Sequence, residues 1–440
     1  MTKQVQNNGN PFALIPLLIF IFTFLGAGIW LDDFYALPSP VAVLVGIIAA
    51  LLFLKQSVDL KIATLISGCG ESKIITMCLI YLLAGAFAVV SQAMGGVDAV
   101  VSLGINNIDV AYFPLGIFLI AAFLSTATGT SVGAIVAIGP IAVSLADQSG
   151  VSMALIGGSL LGGSMLGDNL SMISDTTIAA TQSLGCELKD KFKINLFIAF
   201  PAAVITMLLL FYLGSSSEIN SVEIAKSSFE WIAIVPYLLV IILALVGVNV
   251  FSTLIIGTLL AGIIGYFGNH FTLMVFTQKI YEGFTSMTEI FLLSMLTGGL
   301  AAMVDKAGGI DYLLYQIKKR IKSKKSAQAG IGALVGFTNL AIANNTVSIV
   351  ITGPIAKEIN DEYELSPKKT AVILDIFSCV IQGILPYGAQ VLLILSFANG
   401  KLNFLDLLSN AWYHLFLFIF TLIAIYSSFW DKLVKRYLKL

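Results

Sequence analysis

Leu166-Gly167-Asp168-Asn169-Leu170-Ser171-Met172-Ile173-Ser174-Asp175-Thr176-Thr177 sets two carboxylates and four hydroxyls in the middle of an otherwise apolar segment. Upstream run Leu160, Leu161 and Met165 among glycines, and downstream comes Ile178-Ala179-Ala180. In a soluble chain this would be an ordinary polar loop. At membrane depth a carboxylate costs about 2.5–3.5 kcal/mol on insertion scales and persists only beside partners or in a wet cavity. Gly167 allows the backbone to unwind, and the freed carbonyls join Asp, Ser and Thr oxygens. A set of hard oxygens suits a small alkali cation or a proton rather than a soft metal.

Composition decides which of the two settings applies. The 440 residues are 58% hydrophobic and 11% charged, whereas soluble domains carry about 45–50% apolar and about 25% charged residues. The apolar excess calls for a bilayer as second solvent. A net charge of −1 excludes the basic footprint of a nucleic-acid binder. Cys69, Cys78, Cys186 and Cys379 are scattered and form neither a metal-ligand spacing nor a disulfide framework. With His270 and His414 the only histidines, His-based metal or triad chemistry is poorly supplied, and no nucleophile–base constellation or nucleotide-binding fingerprint appears. An enzyme and a primary ATP-driven pump are therefore not expected, and neither is a resident cofactor.

About 20 residues cross a hydrocarbon core about 30 Å thick. That ruler predicts spans near 12–30, 37–54, 74–95, 193–214, 231–248, 250–267, 286–304 and 410–429. The first lacks a small-residue cleavage site and reads as a span rather than a signal peptide. Segments 152–185 and 366–399 are long enough to cross but are interrupted by polar and glycine residues, as broken helices. Segments 111–147 and 328–360 each read as two short apolar arms around a polar tip.

Short cytoplasmic loops hold the Lys and Arg excess. Lys55, Lys61 and Lys73, then Lys189, Lys191 and Lys193, then the stretch Lys306 to Lys325, then Lys368 and Lys369, and finally Lys432, Lys435, Arg436 and Lys439 mark the inside. Asp32-Asp33 and the Glu218–Glu230 loop mark the outside. All fit if both termini are cytoplasmic in the cell (inner) membrane and if 328–360 enters and leaves on that side as a re-entrant hairpin. Segment 111–147, flanked by Asp98, Asp109 and Asp147, should dip in from outside. The basic stripe Lys318–Lys325 serves as a positive-inside anchor, with anionic lipid as a secondary contact.

The halves repeat. Gly139-Pro140-Ile141-Ala142 recurs as Gly353-Pro354-Ile355-Ala356, an offset of 214 (353 − 139) that also pairs Thr130 with Asn344, Asp147 with Asp361, Ser152 with Ser366 and Asp168 with Gln382. Five crossings plus a hairpin per half turn the second half upside down. The expected fold is an all-α polytopic membrane protein, an inverted repeat of residues 1–225 and 226–440. Such repeats, with discontinuous helices meeting near the midplane, are a recurrent secondary-transporter architecture.

Candidate ligands cluster at the interruptions. Asp168, Asn169, Ser171, Ser174, Asp175 and Thr176, with Thr128, Thr130 and Ser131 at the first hairpin tip, form the candidate cation and proton site. Asp175 and Thr176, with Ser174, are assigned to the alkali cation, and Asp168 to the proton. Two carboxylates in a low dielectric repel, and either a cation or a proton relieves them, so the two compete for the same oxygens. Asn344, Asn345, Thr346, Gln382, Tyr387 and Gln390 supply neutral donors without an acid, which suits a small organic solute; capping of unwound backbone is the alternative role. Glu289 and Asp375 are further acids in apolar runs, either proton carriers or members of structural pairs.

The stretch from Gly167 to Thr177 resembles the GD-x-x-S-x-x-SDTT signature of the NhaC-type sodium/proton antiporters. The layout resembles the wider ion-transporter superfamily, in which two re-entrant hairpins and two broken helices form the transport site. Asn344-Asn345-Thr346 is similar to that superfamily's Ser-Asn-Thr hairpin tip, with Asn in place of Ser. Many NhaC proteins have Pro after the first motif Ser, where this chain has Met172, a departure toward relatives that carry organic or amino acids. The resemblance implies Na+/H+ antiport by alternating access. The alternative is a Na+- or H+-coupled carrier of an amino acid or small organic acid, and a channel ranks below both. The lipid bilayer, Na+ and H+ are the expected partners, and a homodimer is left open.

Overall fold

The computed structural model describes residues 9–30, 37–172, 174–216, 230–246 and 248–427, apart from the side chains of 25, 28, 29, 73, 104, 105, 127, 128, 216, 244 and 245. Asp32-Asp33, most of the Glu218–Glu230 loop, the extreme N-terminus and the C-terminal lysines lie outside the described residues. Among those described, all regular structure is helical. The first half contains α1 (Ile15–Trp30), α2 (Ser39–Phe53), α3 (Val58–Cys69), α4 (Ser72–Ala93), α5 (Gly96–Asn107), α6 (Phe113–Thr128), α7 (Ser131–Ser149), α8 (Met153–Leu170), α9 (Asp175–Leu184) and α10 (Leu188–Ser216). The second contains α11 (Val235–Leu245), α12 (Val250–Phe267), α13 (Leu273–Ser286), α14 (Thr288–Lys306), α15 (Gly309–Lys318), α16 (Lys324–Ile342), α17 (Asn345–Glu362), α18 (Pro367–Ile384), α19 (Ala389–Ala398), α20 (Phe404–Ser409) and α21 (Trp412–Tyr426).

Helix ends recur at the sequence offset. Helix α8 ends at Leu170 and α18 at Ile384, while α9 starts at Asp175 and α19 at Ala389. Each pair is 214 residues apart (384 − 170 and 389 − 175). The hairpin turns correspond too. Gly129 takes φ 72° between α6 and α7, and Ala343 takes φ 55° between α16 and α17. An L-residue in this left-handed region costs roughly 1–2 kcal/mol, so Ala343 holds its turn against that penalty.

Two expectations change. The hairpin arms are not short: α7 has 19 residues and α17 has 18, because each helix continues through its internal proline, Pro140 or Pro354. The stretches read as loops between spans contain α3, α5, α13 and α15. These are too short or too polar to register as crossings, yet they are helices, two of them capped by a side chain: Ser57 accepts from the Leu60 N–H at the start of α3, and Thr272 from the Val275 N–H at the start of α13.

Among the described residues, six helical stretches are long and apolar enough to cross a membrane, with shorter apolar helices beside them. Outward residues such as Leu52, Phe53 and Phe267 are apolar and exposed, as a lipid-facing surface requires. Helix α8 is the opposite case, buried at every position from Leu155 to Asn169. A helix shielded on all sides must let its neighbours approach closely, and small residues permit that. A Cβ on Gly163 would lie 2.2 Å from the Phe118 carbonyl oxygen, and one on Gly167 2.5 Å from that of Ala122. The glycines thus press α8 against α6, the first arm of the first hairpin, and bring the hairpin tip to the helix break.

Candidate transport site

The break between α8 and α9 leaves helix-end groups without intrahelical partners. Ser171 N–H still reaches the Gly167 carbonyl at 2.9 Å, and Ser171 Oγ donates to the Thr126 carbonyl at 2.9 Å, which fastens the break to hairpin one. One turn back from the break, Asp168 is 5% exposed. Its Oδ2 accepts from Ser131 Oγ at 2.8 Å, across from the hairpin tip, and its Oδ1 accepts from Ser174 Oγ at 2.5 Å. The Ser174 hydroxyl has one proton, committed to Asp168, so Thr176 Oγ1, 2.9 Å away, is the donor between those two hydroxyls.

The second half enters the same network. Gln390, near the start of α19, donates through Nε2 to Ser131 Oγ at 2.9 Å. Gln382 Nε2 donates in turn to Gln390 Oε1 at 3.2 Å and to the Ala343 carbonyl at 3.2 Å. A single chain of bonds therefore runs from the turn of the second hairpin through α18 and α19 to the carboxylate on α8.

A cavity of about 240 Å³ opens beside this carboxylate. Thr130, Ser131, Asp168, Ser174, Asp175 and Thr176 line one part of it, and Asn344, Asn345, Thr346 and Gln390 another. Asp175 is exposed to it from the first turn of α9, a position the helix dipole favours for an anion. Thr130 and Asn344 are N-caps: Thr130 Oγ1 accepts from Gly133 N–H at 3.3 Å and Asn344 Oδ1 from Val347 N–H at 3.0 Å. The side chain of Thr128 lies outside the described residues.

The remaining candidates sit elsewhere. Ser171 is used in the hairpin clasp, and the Tyr387 hydroxyl donates to the Leu340 carbonyl at 2.7 Å while its ring packs edge-on against Phe20. Glu289 is on another cavity, of about 310 Å³, where its Oε1 accepts from Ser39 N–H at 3.1 Å and Ser39 Oγ at 2.8 Å at the start of α2. The Asn169 carbonyl accepts from Lys191 Nζ at 3.1 Å and from Asn195 Nδ2 at 2.5 Å, away from the cavity lining. Asp375 forms an ion pair with Lys191 at 2.6 Å, the two side chains being 0% and 1% exposed.

Lys191 is a correction to the loop reading. Helix α10 begins at Leu188, so Lys191 lies in its first turns rather than before the span. The alternation Lys189, Lys191, Lys193 looks like a solvated cluster, yet at 100° per residue Lys191 faces away from its two neighbours. Its own face continues through Asn195, Ile198, Ala199 and Ala202, all buried. That i, i+4, i+7, i+8, i+11 stripe was the signal available in the sequence. Ser72 and Thr76 of α4, with Val250 of α12, complete the cavity wall and carried no comparable signal.

Comparison with known proteins places the chain in a family. The profile of the Na+/H+ antiporter family matches residues 13–215 and again 214–431. The chain is 24% identical over 406 residues to the malate-2H(+)/Na(+)-lactate antiporter of Bacillus subtilis, covering 85% of this chain and 86% of that one. It is 25% identical over 353 residues to the Na(+)/H(+) antiporter NhaC of the same organism, covering 73% and 77%. Among solved structures, the YdaH transporter of Alcanivorax borkumensis overlaps 86% of this chain and 88% of its own at 12% identity and a TM-score of 0.39. From the double profile match, which spans nearly its whole length, the chain belongs to the Na+/H+ antiporter family.

Proposed function

We propose that the chain exchanges Na+ for H+ across the cell membrane at the cavity beside Asp168. The observation that carries this is the Asp168 carboxylate, buried at a helix break, clasped by two hydroxyls and open to a cavity that also holds Asp175. Asp175, Thr176 and Ser174 take Na+, and Asp168 takes the proton. Binding either cargo relieves the repulsion between the two carboxylates, and the hard-oxygen set serves both.

In this reading residues 1–225 and 226–440 are inverted repeats, a division supported by the recurring helix ends and by the family profile matching twice. With both termini cytoplasmic, the Asp168 cavity, walled by the starts of α4 and α12, opens inward. The cavity at Glu289 and Ser39 opens outward. Cysteines introduced at Lys322 and Lys368 should label only from the cytoplasm, and one at Asp147 only from outside. Labelling of Lys322 and Lys368 from opposite faces would remove both the second re-entrant hairpin and the inversion.

A second reading has an observation of its own. A cavity of about 240 Å³ exceeds the need of one small cation, since a water takes about 30 Å³. Its Asn344, Asn345 and Gln390 amides could hold a carboxylate, and a relative is named for malate and lactate exchange. Replacing Gln390 does not separate the readings, because Gln390 reaches Asp168 through Ser131. Asn345→Ala does. In proteoliposomes an imposed Na+ gradient should move protons without added solute, and Asn345→Ala should match wild type. Silence of both proteins until malate or lactate is added, with Asn345→Ala impaired, would transfer the function to a coupled carrier.

A further inference from the structure

Lys191 Nζ has three protons and three oxygen acceptors: Asp375 Oδ2 at 2.6 Å, Thr177 Oγ1 at 2.7 Å and the Asn169 carbonyl at 3.1 Å. The pair is fully shielded, with the lysine 1% and the aspartate 0% exposed. As a stabilising device it is a poor choice, because two buried ions lose hydration and an apolar pair of similar volume usually does as well. The acceptor set is more informative than the pairing. It comprises one carboxylate, one hydroxyl and one backbone carbonyl, with no nitrogen or sulfur, and hard cations are held by just such oxygens.

The carbonyl has a particular position. Asn169 is in the last turn of α8, where carbonyls lack intrahelical donors and the helix dipole is negative. In transporters built on discontinuous helices, half-helix C-terminal ends and unwound carbonyls coordinate the driving cation. Here that end is held by an ammonium. The group lies across the break from the Asp168 cavity, with Asn169 next to Asp168 and Thr177 next to Thr176, and neither Lys191 nor Asp375 lines that cavity. It joins α8, α9 and α10 of the first half to α18 of the second.

We propose that this cluster is a second cation site, filled by the chain's own lysine as a tethered cation. The Lys191 ammonium keeps Na+ out of it and leaves the carrier one transportable Na+, in the Asp168 cavity. Removing the ammonium while keeping Asp375, Thr177 and the Asn169 carbonyl therefore opens the site to Na+. The inference rests on the Na+ reading given above only for the occupant of the neighbouring cavity.

The experiment counts radioactive Na+ bound per purified full-length chain, with choline as the replacing cation, and follows heat-induced loss of monodispersity in both salts. Wild type should bind one Na+, Lys191→Ala two, and the double variant Lys191→Ala/Asp375→Asn one. Na+ should also protect Lys191→Ala from heating more than it protects wild type. A folded Lys191→Ala that binds no more Na+ than wild type, or two Na+ on wild type, would overturn the proposal. So would a Lys191→Ala chain that fails to fold in Na+ when the double variant folds, because Na+ would then be unable to replace the ammonium. If neither variant folds, the wild-type count decides. A wild type that binds none, with Lys191→Ala binding one, would sink the Na+ assignment of the Asp168 cavity and leave the tethered cation standing.

Discussion

Asp168→Asn is expected to reduce Na+-driven proton movement in proteoliposomes to about a hundredth of wild type. The amide is nearly isosteric, so helices α8 and α6 keep their contact. What changes is charge and acceptor count: the carboxylate takes hydrogen bonds from Ser131 and Ser174 on separate oxygens, and an amide offers only one oxygen. A hydrogen bond to a charged group contributes about 1.5–3 kcal/mol, and the upper end of that range is about a hundredfold. The control is Asp147→Asn. Asp147 pairs with Lys401 at 2.7 Å, but both are half-exposed, and a surface pair is worth about 0–1 kcal/mol. Its flux should stay near that of wild type. Wild-type flux in Asp168→Asn would remove that carboxylate from the exchange.

Gly167→Ala should be a strongly damaging single-methyl change, and its damage should reach transport as well as stability. The new Cβ would meet the Ser125 side chain at 2.4 Å, the Ala122 carbonyl at 2.5 Å and the Thr126 backbone nitrogen at 2.6 Å. Backbone cannot rotate aside, so α6 must move off α8. Overpacking costs typically 1–3 kcal/mol, and contact with two backbone atoms argues for about 3 kcal/mol. The displaced hairpin carries Ser131 away from Asp168 and breaks the bond from Ser171 to the Thr126 carbonyl. Size-exclusion profiles after graded heating should shift downward together with flux. Gly116→Ala on α6, where a Cβ meets nothing within 4 Å, should behave as wild type in both.

The polar interruptions were legible in the sequence because a bilayer segment has few reasons to hold Asp168, Ser174 and Asp175 together. The helix break at 171–174 and the turns at Gly129 and Ala343 fall on such interruptions. Helices α3, α5, α13 and α15 were not legible, since hydropathy registers length in apolar residues and these lack it. Within the candidate site, residue type and proximity along the chain placed Asp168, Ser174 and Thr176 near one another. They could not show that Gln390 bonds to Ser131, nor that the Tyr387 hydroxyl points to the Leu340 carbonyl, because those directions depend on how α19 and α16 pack. Lys191 was misassigned for a related reason. Lysine counts near span ends carry topological information only while the side chains are solvated, and the start of α10 buries one of the three.

The pairing of Lys191 with Asp375 has an electrical consequence. An ammonium and a carboxylate in contact move as a neutral body, so the membrane potential does no net work on them when the surrounding helices shift. The potential acts instead on Asp168, Asp175 and whatever is bound there, at about 2.3 kcal/mol per elementary charge per 100 mV. In the proposed exchange, a cavity with both carboxylates charged and one Na+ carries one negative charge, and so does the same cavity with a proton on Asp168 and Asp175 charged. Voltage therefore acts alike on the two loaded halves of such a one-for-one exchange, and the paired lysine and aspartate add nothing to it.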